Sequence, residues 1–144
     1  MHVKKIIGDK PVQSVATISA KATLAQAAGE LAARRIGALV VSDSEGKVDG
    51  IISERDIVRV IAARGAEALS GRVSDAMTTN VTTCGTQDSA DSVLDRMTRG
   101  RFRHMPVMEG GKMVGVISIG DVVKARMAEI EMENQAMESM IKGV

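Results

Sequence analysis

The stretch Gly50-Ile51-Ile52-Ser53-Glu54-Arg55-Asp56 returns as Gly115-Val116-Ile117-Ser118-Ile119-Gly120-Asp121, with 65 residues between Ser53 and Ser118. Both read glycine, two apolar residues, serine, two variable residues and aspartate. An apolar pair follows each, Ile57-Val58 and Val122-Val123. Upstream, Leu24, Ala27, Ala28 and Leu31 match Ala90, Val93, Leu94 and Met97 at an offset of 66. The turn Asp43-Ser44-Glu45-Gly46-Lys47 is one residue longer than Glu109-Gly110-Gly111-Lys112, which accounts for the change of offset. The leaders Val3-Lys4-Lys5-Ile6-Ile7 and Val73-Ser74-Asp75-Ala76-Met77 also correspond. Four matches in one order identify an internal duplication.

Each unit reads β-α-β-β-α, so the fold class is α/β of the α+β kind. A short apolar strand opens each unit (residues 15–18 and 81–84). A helix follows, with apolar residues at i, i+3, i+4 and i+7. Next comes a strand pair joined by a glycine-containing turn, 38–41 with 48–52 and 105–108 with 113–117. A second helix begins at each Ser-x-x-Asp. The first of these ends near Gly65, a good helix-stop residue, and residues 65–71 link the units. The division is 1–70, 71–130 and a C-terminal helical extension over 131–144. One unit of roughly 60 residues buries little surface alone, so the two are expected to share a core.

The last helix, 121–141, contains no proline or glycine. Val123, Met127, Ile130, Met137 and Ile141 recur near heptad spacing, with Asn134 in the series. Glu129, Glu131, Glu133 and Glu138 lie mostly off that seam. Two readings fit: a core-packing helix with a solvated acidic face, or a contact with a second copy. The second is favoured, because this helix outlasts its counterpart in the first unit.

Composition removes whole classes of function. Lys and Arg number 19 against 18 Asp and Glu, a net charge of +1, without the basic excess of a dedicated nucleic-acid binder. Phe102 is the only aromatic residue, which excludes a stacking platform for single strands and a sugar cleft walled by Trp or Tyr. A single cysteine, Cys84, allows no internal disulfide. The longest apolar strip, 36–41, is far short of a membrane span, and the N-terminus makes a poor signal peptide. The expectation is a cytoplasmic protein with neither a membrane nor a nucleic-acid partner.

Enzyme readings find little support. His2 and His104 are the only imidazoles, with no metal-ligand spacing around them. There is no Ser-His-Asp set, no Walker loop and no G-x-G-x-x-G. Cys84 matches Ile18 and reads as a buried strand residue. No catalytic residue, metal site or catalytic cofactor is assigned.

The repeated Ser-x-x-Asp has two compatible readings. Ser53 and Ser118 fit helix N-caps, with Asp56 and Asp121 completing an acidic capping box. The same helix start offers free N–H groups that suit a phosphate, and a carboxylate one turn in can accept two hydrogen bonds from a ribose diol.

The tandem β-α-β-β-α order, the two motifs and the string Arg103-His104-Met105-Pro106-Val107 resemble a pair of CBS domains, named for cystathionine beta-synthase, over residues 3–130. The resemblance implies a pseudo-two-fold module, often called a Bateman module, that commonly dimerises. It also implies clefts between the repeats for adenosine-containing ligands such as AMP, ADP, ATP, NAD(H) or S-adenosylmethionine. Carried onto this chain, one cleft would use Asp56 for the ribose, with Ser53 and Arg55 near the phosphates. Its wall would be Asn80, Val81, Thr82, Phe102, Arg103 and His104. The other would use Asp121 and Ser118, walled by Ser14, Val15, Ala16, Ile36, Gly37 and Ala38. Ile51 and Val116 would pack on the base. With one aromatic residue in the chain, adenine would be held between aliphatic side chains and by backbone groups.

Arg103-His104 is matched by Gly37-Ala38, and Arg55 by Gly120. The Asp56 cleft is therefore expected to prefer the more phosphorylated ligand, and the Asp121 cleft to be poorer in charge. The implied function is a sensor of AMP, ATP or NAD(H), acting through an unidentified downstream protein or through homodimer geometry. The alternative is a structural dimerisation module with vestigial clefts.

Overall fold

The computed structural model describes residues 1–10 and 15–143. In chain order, the first repeat comprises α1 (Val3–Gly8), β1 (Thr17–Ile18), α2 (Leu24–Arg34), β2 (Ala38–Val41), β3 (Gly50–Ser53) and α3 (Glu54–Arg64). A 3-10 turn (Ala66–Ser70) follows. The second repeat comprises α4 (Val73–Ala76), β4 (Cys84–Gly85), α5 (Ala90–Gly100), β5 (His104–Glu109), β6 (Lys112–Ser118) and α6 (Ile119–Ile141). The described residues form two three-stranded sheets, β1-β2-β3 and β4-β5-β6. In each, the first pair is parallel and bridged by a helix, and the second is an antiparallel hairpin.

The helices start where side chains can satisfy their orphan N–H groups. Thr23 caps α2, with Gln26 reaching back to the Thr23 N–H at 2.9 Å. Ser89 caps α5 and accepts from the Ser92 N–H at 3.1 Å. Ser53 and Ser118 cap α3 and α6, each in a reciprocal box with its aspartate. Such a cap is worth about 1 kcal/mol. The matched apolar positions then meet their sheets: Leu24, Ala27 and Leu31 are buried on α2, and Ala90, Val93 and Met97 on α5.

The two leaders are exchanged between the repeats. Val3 and Ile6 of α1 lie in one core with Val93, Met97, Met105, Val107, Ile117 and Val122 of the second repeat. Val73 and Ala76 of α4 lie in the other, with Leu24, Leu31, Leu39, Ile52 and Ile57 of the first. The backbone follows the same rule twice. Val73 N–H donates to Ala22 O at 2.8 Å, and Val3 N–H donates to Asp88 O at 2.9 Å. Val3 and Val73 are fully buried, each worth about 1.5 kcal/mol or more. Neither core is complete without a segment preceding the other repeat's sheet, so the two units fold as one body.

The ladders of β1 and β4 begin later than the sequence suggests, at Thr17 and Cys84. The residues before them, Val15 and Ala16 in one repeat and Asn80 to Thr82 in the other, line cavities instead. In α6 only Val122 is fully buried. The seam residues Val123, Met127, Ile130, Met137 and Ile141 are all exposed. No helix among the described residues is long and apolar enough to cross a membrane.

Candidate functional site

Two cavities open between the repeats, of about 560 Å³ and about 610 Å³. Both are within the usual size of small-molecule sites. Each holds one of the two Ser-x-x-Asp helix starts. The strands deliver the serine at the end of a hairpin, and the helix places the aspartate one turn inside.

In the first cavity Asp56 is buried, 6% exposed. Its Oδ2 accepts from the Ser53 N–H at 2.9 Å and from the Ser53 hydroxyl at 3.0 Å. Its Oδ1 pairs with Arg59 at 3.0 Å. Ile51, Ser53, Arg55, Asn80, Val81, Thr82, Phe102, Arg103 and His104, all expected from sequence, line this cavity. The Phe102 ring is held by close packing: a side chain at Gly100 would run into it.

In the second cavity the Asp121 Oδ2 accepts from the Ser118 N–H at 2.8 Å and pairs with Lys10 at 3.0 Å. Burial pushes this carboxyl up. The Ser118 N–H and the Lys10 ammonium outweigh it and hold the group below the ordinary carboxylate range. Val15, Ala16, Ile36, Gly37, Ala38, Val116 and Ser118 line the cavity. Ser14 lies outside the described residues.

Gly37 lines the Asp121 cleft and His104 the Asp56 cleft, as expected, and each also lines the other cavity. A Cβ at Gly37 would sit 3.1 Å from the His104 ring, so these residues form the partition between the sites. Burial holds His104 below its ordinary imidazole range. Asp121 and Glu54 pull it up, and Lys10 and Arg103 push it further down. The Asp121 cleft has three cations on its lining, Lys10, Arg34 and Arg35, against four in the Asp56 cleft, Arg55, Arg59, Arg101 and Arg103. Lys10 comes from the exchanged leader, and the two arginines from the end of α2, positions outside the motif matches.

Arg59, Arg101, Glu54 and Thr78 were likewise missed in the first cavity. Arg35 and Arg101 could have been found, since each directly precedes a matched wall residue, Ile36 or Phe102. Lys10 left no such signal. Both clefts therefore combine a fixed carboxylate, an apolar floor and several cations, a set suited to a ribose, a base and a phosphate.

Comparison with known proteins points the same way. The CBS domain family model matches residues 3–63 and 73–128. The solved CBS-domain protein ATU1752 from Agrobacterium tumefaciens is 47% identical, with a TM-score of 0.83 over 88% of this chain and 99% of that one. The CBS domain protein PAE2072 from Pyrobaculum aerophilum, solved in complex with AMP, is 27% identical. Its TM-score is 0.73 over 84% of this chain and 89% of that one. CBSCBSPB5 of Arabidopsis thaliana is 30% identical over 131 residues, 89% of this chain but 24% of that protein. The chain thus spans about a quarter of the length of the first curated relatives it matches.

Proposed function

The chain belongs to the CBS-domain family, and from that premise we propose that it is a regulatory sensor of adenine nucleotides rather than an enzyme, acting in the cytoplasm. The observation that carries this reading is the paired carboxylate geometry: Asp56 and Asp121, each locked to its own Ser N–H, each at a helix start inside a cavity between the repeats. A locked carboxylate is a preorganised acceptor for a ribose diol and loses no rotamer freedom on binding. Ile51 and Val116 offer apolar contact to the base. Arg55, Arg101 and Arg103 line one cleft and Lys10, Arg34 and Arg35 the other, cations that would serve a phosphate. The AMP-bound Pyrobaculum relative supports this ligand class.

Signalling requires that the ligand prefer one shape over another. The exchanged leaders tie both cavities to both cores, so closing either cleft strains the whole body. A homodimer through α6 is the second element of the proposal, supported by the exposed seam from Val123 to Ile141. Output then passes through dimer geometry or a downstream protein.

A native mass spectrum of the purified protein tests ligand class and subunit count together. Thermal shift with AMP, ATP and NAD(H) follows, on the native chain and on Asp56→Ala and Asp121→Ala. A ligand that binds the folded chain at 100 times its Kd stabilises it by about 2.7 kcal/mol. Shifts that shrink in either variant support the reading. Shifts absent from the native chain with every adenine nucleotide would leave a structural dimerisation module as the better account.

A further inference from the structure

Lys10 is a cavity cation supplied by the exchanged leader. It lies just beyond α1, in a leader four residues longer from Val3 to Ile18 than its counterpart from Val73 to Cys84. Its ammonium donates to the Asp121 Oδ2 at 3.0 Å and to the Val116 carbonyl at 3.0 Å. The equivalent carbonyl in the other repeat, that of Ile51, accepts instead from the backbone N–H of Thr78 at 2.8 Å. A side-chain cation thus meets the floor carbonyl of the second cleft where the first cleft has a backbone N–H.

The two carboxylates consequently face different competitors. Arg59, the partner of Asp56, stands on the same helix, and its side chain is 64% exposed, so it can turn to solvent freely. The Lys10 side chain is 33% exposed and shared between two acceptors. Ser118 and Lys10 both bond the Asp121 Oδ2, so a neutral ribose diol that engages both carboxylate oxygens has to compete with the ammonium at Oδ2 and offers it no charged partner in return. A ligand carrying its own phosphate offers a replacement anion, so the ammonium trades one charged partner for another. Charge-assisted bonds are the strong ones, and losing one unreplaced is costly.

Resting on the nucleotide reading above, we propose that Lys10 is the specificity-determining residue of the Asp121 cleft: it holds the carboxylate until a phosphate draws it off, so the cleft takes nucleoside 5′-phosphates and rejects uncharged nucleosides. Arg34 and Arg35, on the same wall, favour the same ligand charge.

The test is calorimetric titration with AMP and with adenosine, in an Asp56→Ala background that isolates the Asp121 cleft. The variants are Lys10→Met, which keeps the stem and removes the charge, and Lys10→Arg, which keeps the charge. We expect AMP to bind at least about tenfold tighter than adenosine when Lys10 is present, a difference of one charge-assisted bond. Lys10→Met should collapse that ratio by weakening AMP while adenosine binds equally well or better. Lys10→Arg should preserve it. An AMP-to-adenosine ratio unchanged by Lys10→Met overturns the inference and leaves the nucleotide reading standing. A native chain that binds no AMP overturns both. If Asp56→Ala does not melt cooperatively, the single Lys10 variants carry the same comparison, read at whichever site responds.

Discussion

Arg35 and Arg101 stand at the same position of the two repeats and share a left-handed backbone, with φ of 54° and 56°. Each closes its helix in the same way. Ile36 N–H donates to Leu31 O at 3.1 Å, and Phe102 N–H donates to Met97 O at 3.2 Å. That is the slot in which glycine is usual, because a side chain there costs about 1 kcal/mol. Both arginines are exposed and each lines one cavity, Arg101 beside Asp56 and Arg35 beside Asp121.

Twice-repeated strain at a cavity wall is the pattern of a residue kept for binding rather than for folding. Arg35→Gly and Arg101→Gly should each stabilise the protein by about 0.5–1 kcal/mol. Each should also weaken AMP in its own cleft. Urea denaturation and calorimetry on the same samples measure the two effects. Stabilisation without loss of affinity would remove these arginines from the site.

The exchanged leaders press on the two hairpins unequally. A Cβ at Gly50 would lie 2.8 Å from the Met77 Sδ and 2.8 Å from the Thr78 carbonyl oxygen. That carbonyl cannot retreat, because Thr78 and Ile51 exchange two backbone bonds, at 2.8 and 3.0 Å. At Gly115 the nearest atom is the Ile7 Cδ1 at 3.5 Å, ordinary contact. Gly50→Ala should therefore cost about 1–3 kcal/mol, the range of overpacking. Gly115→Ala should stay within about 0.5 kcal/mol, as for a substitution without strain. Equal melting temperatures for the two variants would contradict the asymmetry.

What the sequence could and could not reveal follows from the range of the forces involved. The helix caps at Ser53 and Ser118 are local, so residue type and spacing suffice to locate them. The apolar stripes of α2 and α5 are periodic and equally legible. Wall residues such as Asn80 and Ala16 come from the family resemblance, which carries structural knowledge that the duplication alone lacks. The exchange of α1 and α4 between cores is different. Both leaders have similar sequences, and nothing local says which sheet each will cover. Lys10 depends on that exchange, so its place beside Asp121 is a product of tertiary packing. The same holds for the Gly37–His104 partition, which joins residues from different repeats.

The seam on α6 gives a prediction about assembly. Met127 is 65% exposed and Ile130 is 49% exposed, neither contributing to a core in the single chain. Met127→Glu with Ile130→Glu should leave the fold and the AMP thermal shift intact and convert a dimer to monomer. Sedimentation velocity reads the mass directly. A double variant that still sediments as a dimer would move the interface off this helix.

The partition residue sets the sign of a pH dependence. His104 faces Asp121, Glu54, Lys10 and Arg103, and burial makes its charged form unfavourable. In the unfolded chain it titrates near its ordinary value of about 6.5. Between that value and its lower folded value, the unfolded chain binds a proton that the folded chain refuses, so folding stability rises with pH. The contribution is complete above pH 6.5 and falls away as the pH drops through the folded value. Asp121, also held low, adds a loss of the same sign at more acid pH. The urea midpoint of the native chain should therefore fall from pH 7.5 to pH 5.5. In His104→Gln, which cannot titrate, the fall should be smaller. Because the ring lines both cavities, that variant should also change AMP binding in both clefts, which calorimetry at pH 7.5 can resolve from the stability effect. An identical pH slope in the two proteins would show that His104 is free to protonate, and that the partition is open to water.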